Sequence, residues 1–301
     1  MARVLTRARG RGMALRRLGG PLLACAVTVA LPACAAAADA ADAKDFMIDF
    51  DVSLMSDYIY RGVSLSQRRP SAATFIEARW YGFYASANVQ NVDLPTSPVA
   101  EVTLTSGYRW ERGDFKLDLN ANYFWYPGEM LPEGTPPTSY AEYAVGIEQG
   151  FSQLPLPVTL KGLFAYSPNI SGTGAWGAYV ESGFAIDLPK LGDIEWSFKA
   201  NAGYWRFGSI SPELGGFPLP AYTNWRVGLE FDFNEHFTFD LSYWDTNLSK
   251  ENCFVFTGDT MATPGGTPDP VTNPDGLRSR LCGATLVGTL TVKFDDIKLR
   301  R

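Results

Sequence analysis

Phe115, Leu117, Leu119, Ala121, Tyr123 and Trp125 alternate with Lys116, Asp118, Asn120 and Asn122. Successive strand side chains point to opposite faces, so a period of two predicts a strand with one apolar and one polar face. The same division recurs further along. Ile194, Trp196, Phe198, Ala200, Ala202 and Tyr204 oppose Glu195, Ser197, Lys199 and Asn201. Trp225, Val227, Leu229, Phe231 and Phe233 oppose Arg226, Gly228, Glu230 and Asp232. The pattern predicts about twelve strands: Phe46–Ser66, Ala72–Trp80, Phe83–Val92, Val99–Trp110, Asp114–Tyr126, Ser139–Gln149, Val158–Ser167, Ala175–Leu188, Asp193–Phe207, Tyr222–Phe233, His236–Asn247 and Ala284–Phe294. The first is the longest. Within it Val52, Leu54, Tyr58 and Tyr60 fall on the apolar face, and Asp51, Ser53, Asp57 and Arg61 on the polar one.

The connections alternate as well. Those after the even strands are mostly tight, such as Tyr81-Gly82 and Asn234-Glu235, and those after the odd strands are longer and carry Pro and Gly. Short turns at one end, long loops at the other and an even strand count are the rhythm of a bacterial transmembrane barrel. About ten residues suffice for a tilted strand to cross a bilayer. A soluble sandwich would also alternate, but it would bury apolar face against apolar face under a strongly polar exterior. Here the polar face holds Gly, Ser, Asn and charges of both signs, and the apolar face carries Trp and Tyr near strand ends. The expected fold is therefore all-β, a transmembrane antiparallel up-and-down β-barrel over residues 41–301.

Residues 1–40 carry an export signal by pattern. Six Arg precede the apolar run Pro21–Leu31, and Ala38 and Ala40 offer a cleavage site. Arg16-Arg17 loosely resembles a twin-Arg signal, and Leu31–Cys34 a lipoprotein box. A barrel should cross unfolded, which favours the general route. No later apolar run of about 18 residues is present to form a membrane helix. Removing residues 1–40 takes six Arg and one Asp from a chain of net charge −6, leaving it more acidic still. Nucleic-acid binding depends on neutralising phosphates, so that class of partner is excluded. Cys25 and Cys34 belong to the export signal. Cys253 and Cys282 remain, an even pair in an exported chain, which predicts a disulfide. Two thiols without a nearby His make a poor zinc site, and no metal or cofactor is expected.

Ser56–Pro70 (SDYIYRGVSLSQRRP), Gly82–Asp93, Tyr123–Glu129, Glu142–Glu148, Phe164–Ile170 and Asn224–Asn247 resemble the TorF-type porin-like proteins, conserved hypothetical proteins of Gram-negative bacteria. The similarity is patchy but runs from about Phe46 to Phe294, and the SDY-x-YRG-x-S segment is its most specific part. It implies an outer-membrane barrel with a pore role and brings no substrate and no catalytic residue. Barrels of this kind commonly end in an aromatic that the assembly machinery recognises; here Asp295–Arg301 follow Phe294.

If the polar face lines a lumen, thirteen acids and eight bases fall there. The acids are Asp49, Asp51, Asp57, Glu77, Glu101, Asp118, Glu142, Glu148, Glu181, Glu195, Glu230, Asp232 and Asp240, and the bases are Arg61, Arg79, Arg109, Lys116, Lys161, Lys199, Arg226 and Lys293. Charged rings set pore selectivity, so Asp57, Arg61, Glu77, Arg79, Glu101, Arg109, Lys116, Asp118, Glu181, Lys199, Arg226 and Glu230 are the pore-lining candidates, with a mild preference for cations. The same charges also serve an interior that pairs them across strands. A twelve-stranded barrel lies between filled eight-stranded barrels and open wide porins, and an open lumen is the expectation. Asp57 and Arg61 either narrow such a pore or form structural ion pairs. Catalysis is not expected. The only imidazole, His236, lies at a tight turn, and no G-x-S-x-G occurs. The loop between Leu248 and Cys282 is rich in Pro, Gly and Thr, and Thr260–Asp275 is expected to be a flexible tip. The function expected is passive diffusion of small polar or cationic solutes across the outer membrane. The alternative is a non-conducting barrel serving as anchor or surface module. Membrane lipid, lipopolysaccharide and the barrel-assembly machinery are the expected partners, and both termini are expected in the periplasm.

Overall fold

A computed structural model describes residues 46–234 and 236–299. The export signal and the lead-in to residue 45 lie outside them. Twelve antiparallel strands close on themselves: β1 Phe46–Met55, β2 Ser71–Trp80, β3 Phe83–Gln90, β4 Glu101–Arg112, β5 Phe115–Trp125, β6 Tyr140–Phe151, β7 Val158–Ser167, β8 Gly177–Leu191, β9 Ile194–Phe207, β10 Tyr222–Phe233, β11 Phe237–Thr246 and β12 Thr285–Leu299. Each strand pairs with its chain neighbours, and β1 closes the barrel on β12 from Phe46↔Leu299 to Met55↔Thr289. No strand edge is left open, which is what a bilayer requires of a sheet. The strand β12 runs past Phe294 to Leu299, so the residues after that aromatic extend the wall.

The period of two becomes inside and outside. Leu54, Ile76, Phe83, Leu104, Tyr123, Ile147, Phe164, Val180, Leu241 and Leu286 are exposed on the outer surface. Rings cluster near the tight-turn end, where Trp80 meets Tyr81 at 4.8 Å and Phe83 meets Tyr108 at 4.9 Å between centroids. An apolar band bounded by aromatics matches a lipid environment, where amphipathic rings settle at the headgroup level.

The largest departure from the sequence expectation is in the first strand. It stops at Met55. Residues 56–70 leave the wall and turn into the barrel, where Ile59–Tyr60 and Val63–Ser64 form a two-stranded hairpin of their own. The hairpin turn is Arg61-Gly62, with φ of 49° and 84°. Positive φ at both central residues matches the tight hairpin turn whose twist suits flanking strands. Gly62 is demanded twice over, because an added Cβ would meet Thr246 at 2.5 Å and Asn224 at 2.9 Å. Tyr60 therefore packs inside the barrel against Phe124 and Trp205, not toward lipid as its alternation with Arg61 suggested. The connection after β11 is also more ordered than its composition predicts. It contains α1, Lys250–Thr257, capped by the Ser249 side chain, and Cys253 is bonded to Cys282. The stretch expected as a flexible tip is held by bridges Thr263↔Arg278 and Asp269↔Asn273.

Candidate functional site

The lumen divides into two halves. Toward the tight turns it is lined by charge. Strand pairing places Arg109 opposite Asp118 and Lys161 opposite Glu148, and both become ion pairs, at 3.2 Å each. Arg109 also reaches Glu77 at 3.1 Å, and Arg79 joins Glu77 to Asp49, so one chain of charges crosses β1, β2, β4 and β5. Lys199 pairs with Glu230, Arg226 with Asp240, Lys116 with Glu111 and Lys293 with Asp232. Seven of the eight lumen bases are thus paired here, and the eighth, Arg61, pairs with Glu142 in the other half. Among the acids, Asp57, Glu142 and Glu195 pair with Arg68, Arg61 and Lys190, and Asp51, Glu101 and Glu181 are in no ion pair among the described residues. Asp51 lies opposite Lys293 in the register, and Glu181 accepts from the Tyr179 hydroxyl at 2.6 Å.

Cavities remain between these charges. One of about 350 Å³ is lined by Arg109, Lys116, Asp118, Glu148, Lys161 and Glu181. Another of about 420 Å³ is lined by Lys161, Asp187, Lys199, Glu230 and Asp232 among others. A third, of about 320 Å³, lies against the hairpin's approach, between Asp57, Tyr58, Arg226, Asp240 and Trp244. Such spaces, walled by ionised groups, suit water and small polar solutes.

Toward the long loops the lumen is filled. Arg61, at the tip of the inserted hairpin, makes a two-pronged pair with Glu142 on β6, both contacts at 2.7 Å. The two side chains are 8% and 4% exposed. The guanidinium also lies over three rings, Tyr179 at 4.1 Å, Trp205 at 4.4 Å and Tyr60 at 4.8 Å. Tyr222 donates to the Arg61 carbonyl at 3.1 Å. Planar guanidinium suits this combination of carboxylate fork and stacked rings, for which lysine is no substitute. Trp205, Phe207, Tyr222 and Phe256 pack on one another beside it, so α1 joins the same cluster through Phe256.

The base of the hairpin is held by a second polar knot. Asp57 accepts from Ser64 Oγ at 2.6 Å and Ser66 Oγ at 2.9 Å, and Arg68 approaches its other oxygen at 3.4 Å. Arg68 also donates to the carbonyls of Arg280 and Gly283, at 2.8 and 2.7 Å. Glu101, only 1% exposed, accepts from the Tyr58 and Tyr126 hydroxyls at 2.8 and 2.9 Å and from Gln90 at 2.5 Å. The motif Ser56–Pro70 is thus a plug with a tip, a latch and a tied base.

Of the twelve candidates, Glu77, Arg79, Arg109, Lys116, Asp118, Lys199, Arg226 and Glu230 lie in the charged half, and Glu181 borders it. Asp57 and Arg61 sit on the plug, paired with different partners and not with each other. Glu101 is sealed beneath it. Sequence reasoning missed the ring cage of Tyr60, Tyr179, Trp205 and Tyr222. One signal was available: Trp205 falls on the inward face of a strand whose other inward residues are Glu195, Ser197, Lys199 and Asn201. Gly203 clears the space beside it, since an added Cβ would meet the Tyr179 hydroxyl at 2.1 Å.

Comparison with known proteins gives a family and a set of similar barrels. The profile of a bacterial family described as of unknown function, Gcw_chp, matches residues 38–264. No curated protein matches the chain. Among solved structures, the NanC porin is 9% identical with a TM-score of 0.45, covering 82% of this chain and 99% of its own. The KdgM porin is 10% identical at 0.43, covering 83% and 98%. An outer membrane channel from Pseudomonas putida F1 is 10% identical at 0.40, covering 85% and 98%. These likenesses extend to the barrel and carry nothing about its cargo.

Proposed function

The chain belongs to the Gcw_chp family of bacterial proteins of unknown function, and within that family we propose that it is an outer-membrane channel for small polar solutes, throttled by the hairpin in its own lumen. The observation that carries the proposal is the division of the lumen. One half keeps polar cavities of about 320 to 420 Å³. The other is closed by a short segment that is not part of the wall. Bacterial barrels put their short turns in the periplasm and their long loops outside, so the plug lies at the outer mouth and the charged half opens inward. The strand ends at Phe46 and Leu299 then lie on the periplasmic side. The resemblance of Ser56–Pro70 to the TorF-type proteins fits a pore role.

Acids outnumber bases around the lumen, but pairing cancels most of both, which leaves a weak preference for cations. Liposome-swelling rates for sugars of increasing size, with reversal potentials across a salt gradient, test this reading. Slow passage limited to small solutes and a modest cation preference are expected. Strong anion preference overturns it.

A non-conducting barrel is the second reading, favoured by the burial of the plug's surroundings, where Tyr179, Trp205 and Tyr222 are 1%, 3% and 0% exposed. A barrel that stays silent with the plug in place and with it removed supports that reading.

A further inference from the structure

Above the plug lies a cavity unlike those below it. It has a volume of about 400 Å³ and is bounded by Tyr60 and Val63 of the hairpin, Leu94, Trp205, Leu219 and Phe256. We infer that this outer vestibule is a binding site for a small apolar aromatic molecule of one or two rings, and that its occupancy holds the hairpin seated.

The lining argues for that chemistry and against a polar occupant. Several of the hydroxyls that line the cavity are spent as donors on neighbours within the protein, while those of Thr96 and Ser171 remain at its loop side. Ser64 donates to Asp57, Thr138 to Glu129 at 2.5 Å, Thr173 to the Ile170 carbonyl at 2.7 Å and Thr257 to the Cys253 carbonyl at 2.7 Å. Asp93 at the rim is paired with Arg69 at 2.7 Å. A sugar entering here would give up its hydrogen bonds to water and find few replacements, which is costly. A flat apolar molecule gives up none. Tyr60, Trp205 and Phe256 present rings to it from the hairpin, the wall and α1, and rings favour offset or edge-on partners. The volume falls at the small end of the range of ordinary ligand pockets, and such pockets are mostly apolar.

The second half of the inference follows from what forms the pocket. Tyr60 and Trp205 line the cavity and also stack on Arg61. The complete pocket therefore exists only while the hairpin is seated. A ligand that binds one of two states shifts the population toward it by its differential affinity. Occupancy from outside thus stabilises the closed form. This does not depend on whether the lumen conducts.

The test uses the protein in nanodiscs, with indole as probe, glucose as its polar counterpart and empty nanodiscs as the blank. Calorimetric titration should show saturable binding of indole and none of glucose. Leu219→Trp, which fills the cavity from an outer loop, should weaken indole binding by at least about tenfold. Leu94→Trp repeats the test from a different loop should the first variant misfold. Hydrogen exchange at the hairpin amides should slow when indole is present. Indole heats no greater than the blank, equal binding by the filled variants, saturable glucose binding that Leu219→Trp abolishes, or hairpin exchange unaffected by indole each overturn the inference.

Discussion

The two halves of the lumen hold charged groups by different means. In the tight-turn half, ionised side chains pair directly at the edge of open cavities, as with Lys161 and Glu148, which are 49% and 36% exposed. In the long-loop half, the one ion pair of the plug tip is buried and wrapped in aromatic rings. A solvated pair contributes little to stability because water already satisfies both ions. A buried pair is different. Its attraction barely offsets desolvation, yet removing one partner strands the other without water. The difference shows where the barrel is tolerant and where it is committed. The charged half can lose a member of its more exposed pairs, such as Lys161 and Glu148, and keep its shape, whereas Glu77, at 7% exposure between Arg79 and Arg109, is its buried knot. The plug depends on Arg61 for its seat.

The contrast breaks most visibly at that residue. Arg61→Ala leaves Glu142 buried without a cation, and breaking such a pair costs about 3–5 kcal/mol. If that falls on seating of the hairpin, protection of its amides from hydrogen exchange should drop by about a hundredfold or more, while the wall strands stay protected. Gly62→Ala is the next largest. It places a Cβ where Thr246 and Asn224 already stand and asks a residue with a side chain to adopt φ 84°. Overpacking of this kind costs about 1–3 kcal/mol, so the same exchange measurement should show a smaller loss. Lys199→Ala sharpens the comparison from the other side. Its pair with Glu230 is about a quarter exposed, so stability should change by no more than about 1 kcal/mol in a denaturation experiment. Cation preference should rise, since Glu230 then faces the lumen uncancelled.

The wall was legible in the sequence because lipid and water impose opposite demands on alternate residues. Strands such as β5, β9 and β10 carry that demand along their length, and the tight turns mark their ends. The charge pairing followed too, since Arg109 and Asp118 fall on facing inward positions once the strands are paired. The plug was not legible by the same rule. Tyr58 and Tyr60 keep the apolar parity of Val52 and Leu54, and Asp57 and Arg61 keep the polar parity of Asp51 and Ser53. The period therefore persists past the end of β1, with only Met55, Ser56 and Ile59 out of phase, and a strand that leaves the wall resembles one that stays in it. The sign that distinguishes them is local. Arg61-Gly62 between strand-like pairs is a hairpin turn, as Tyr81-Gly82 is at the end of β2, where φ is also positive at both residues. Burial of Tyr60 and Trp205 depends on contacts between segments far apart in the chain, which periodicity does not carry.

Single-channel conductance of the intact barrel against one in which residues 57–66 are replaced by a short Gly-Ser linker bears most directly on the plug. With the shortened barrel shown to be folded by its heat-modifiable mobility, the account predicts conductance raised several-fold over a small, intermittent wild-type current. Equal currents from the two proteins would contradict it.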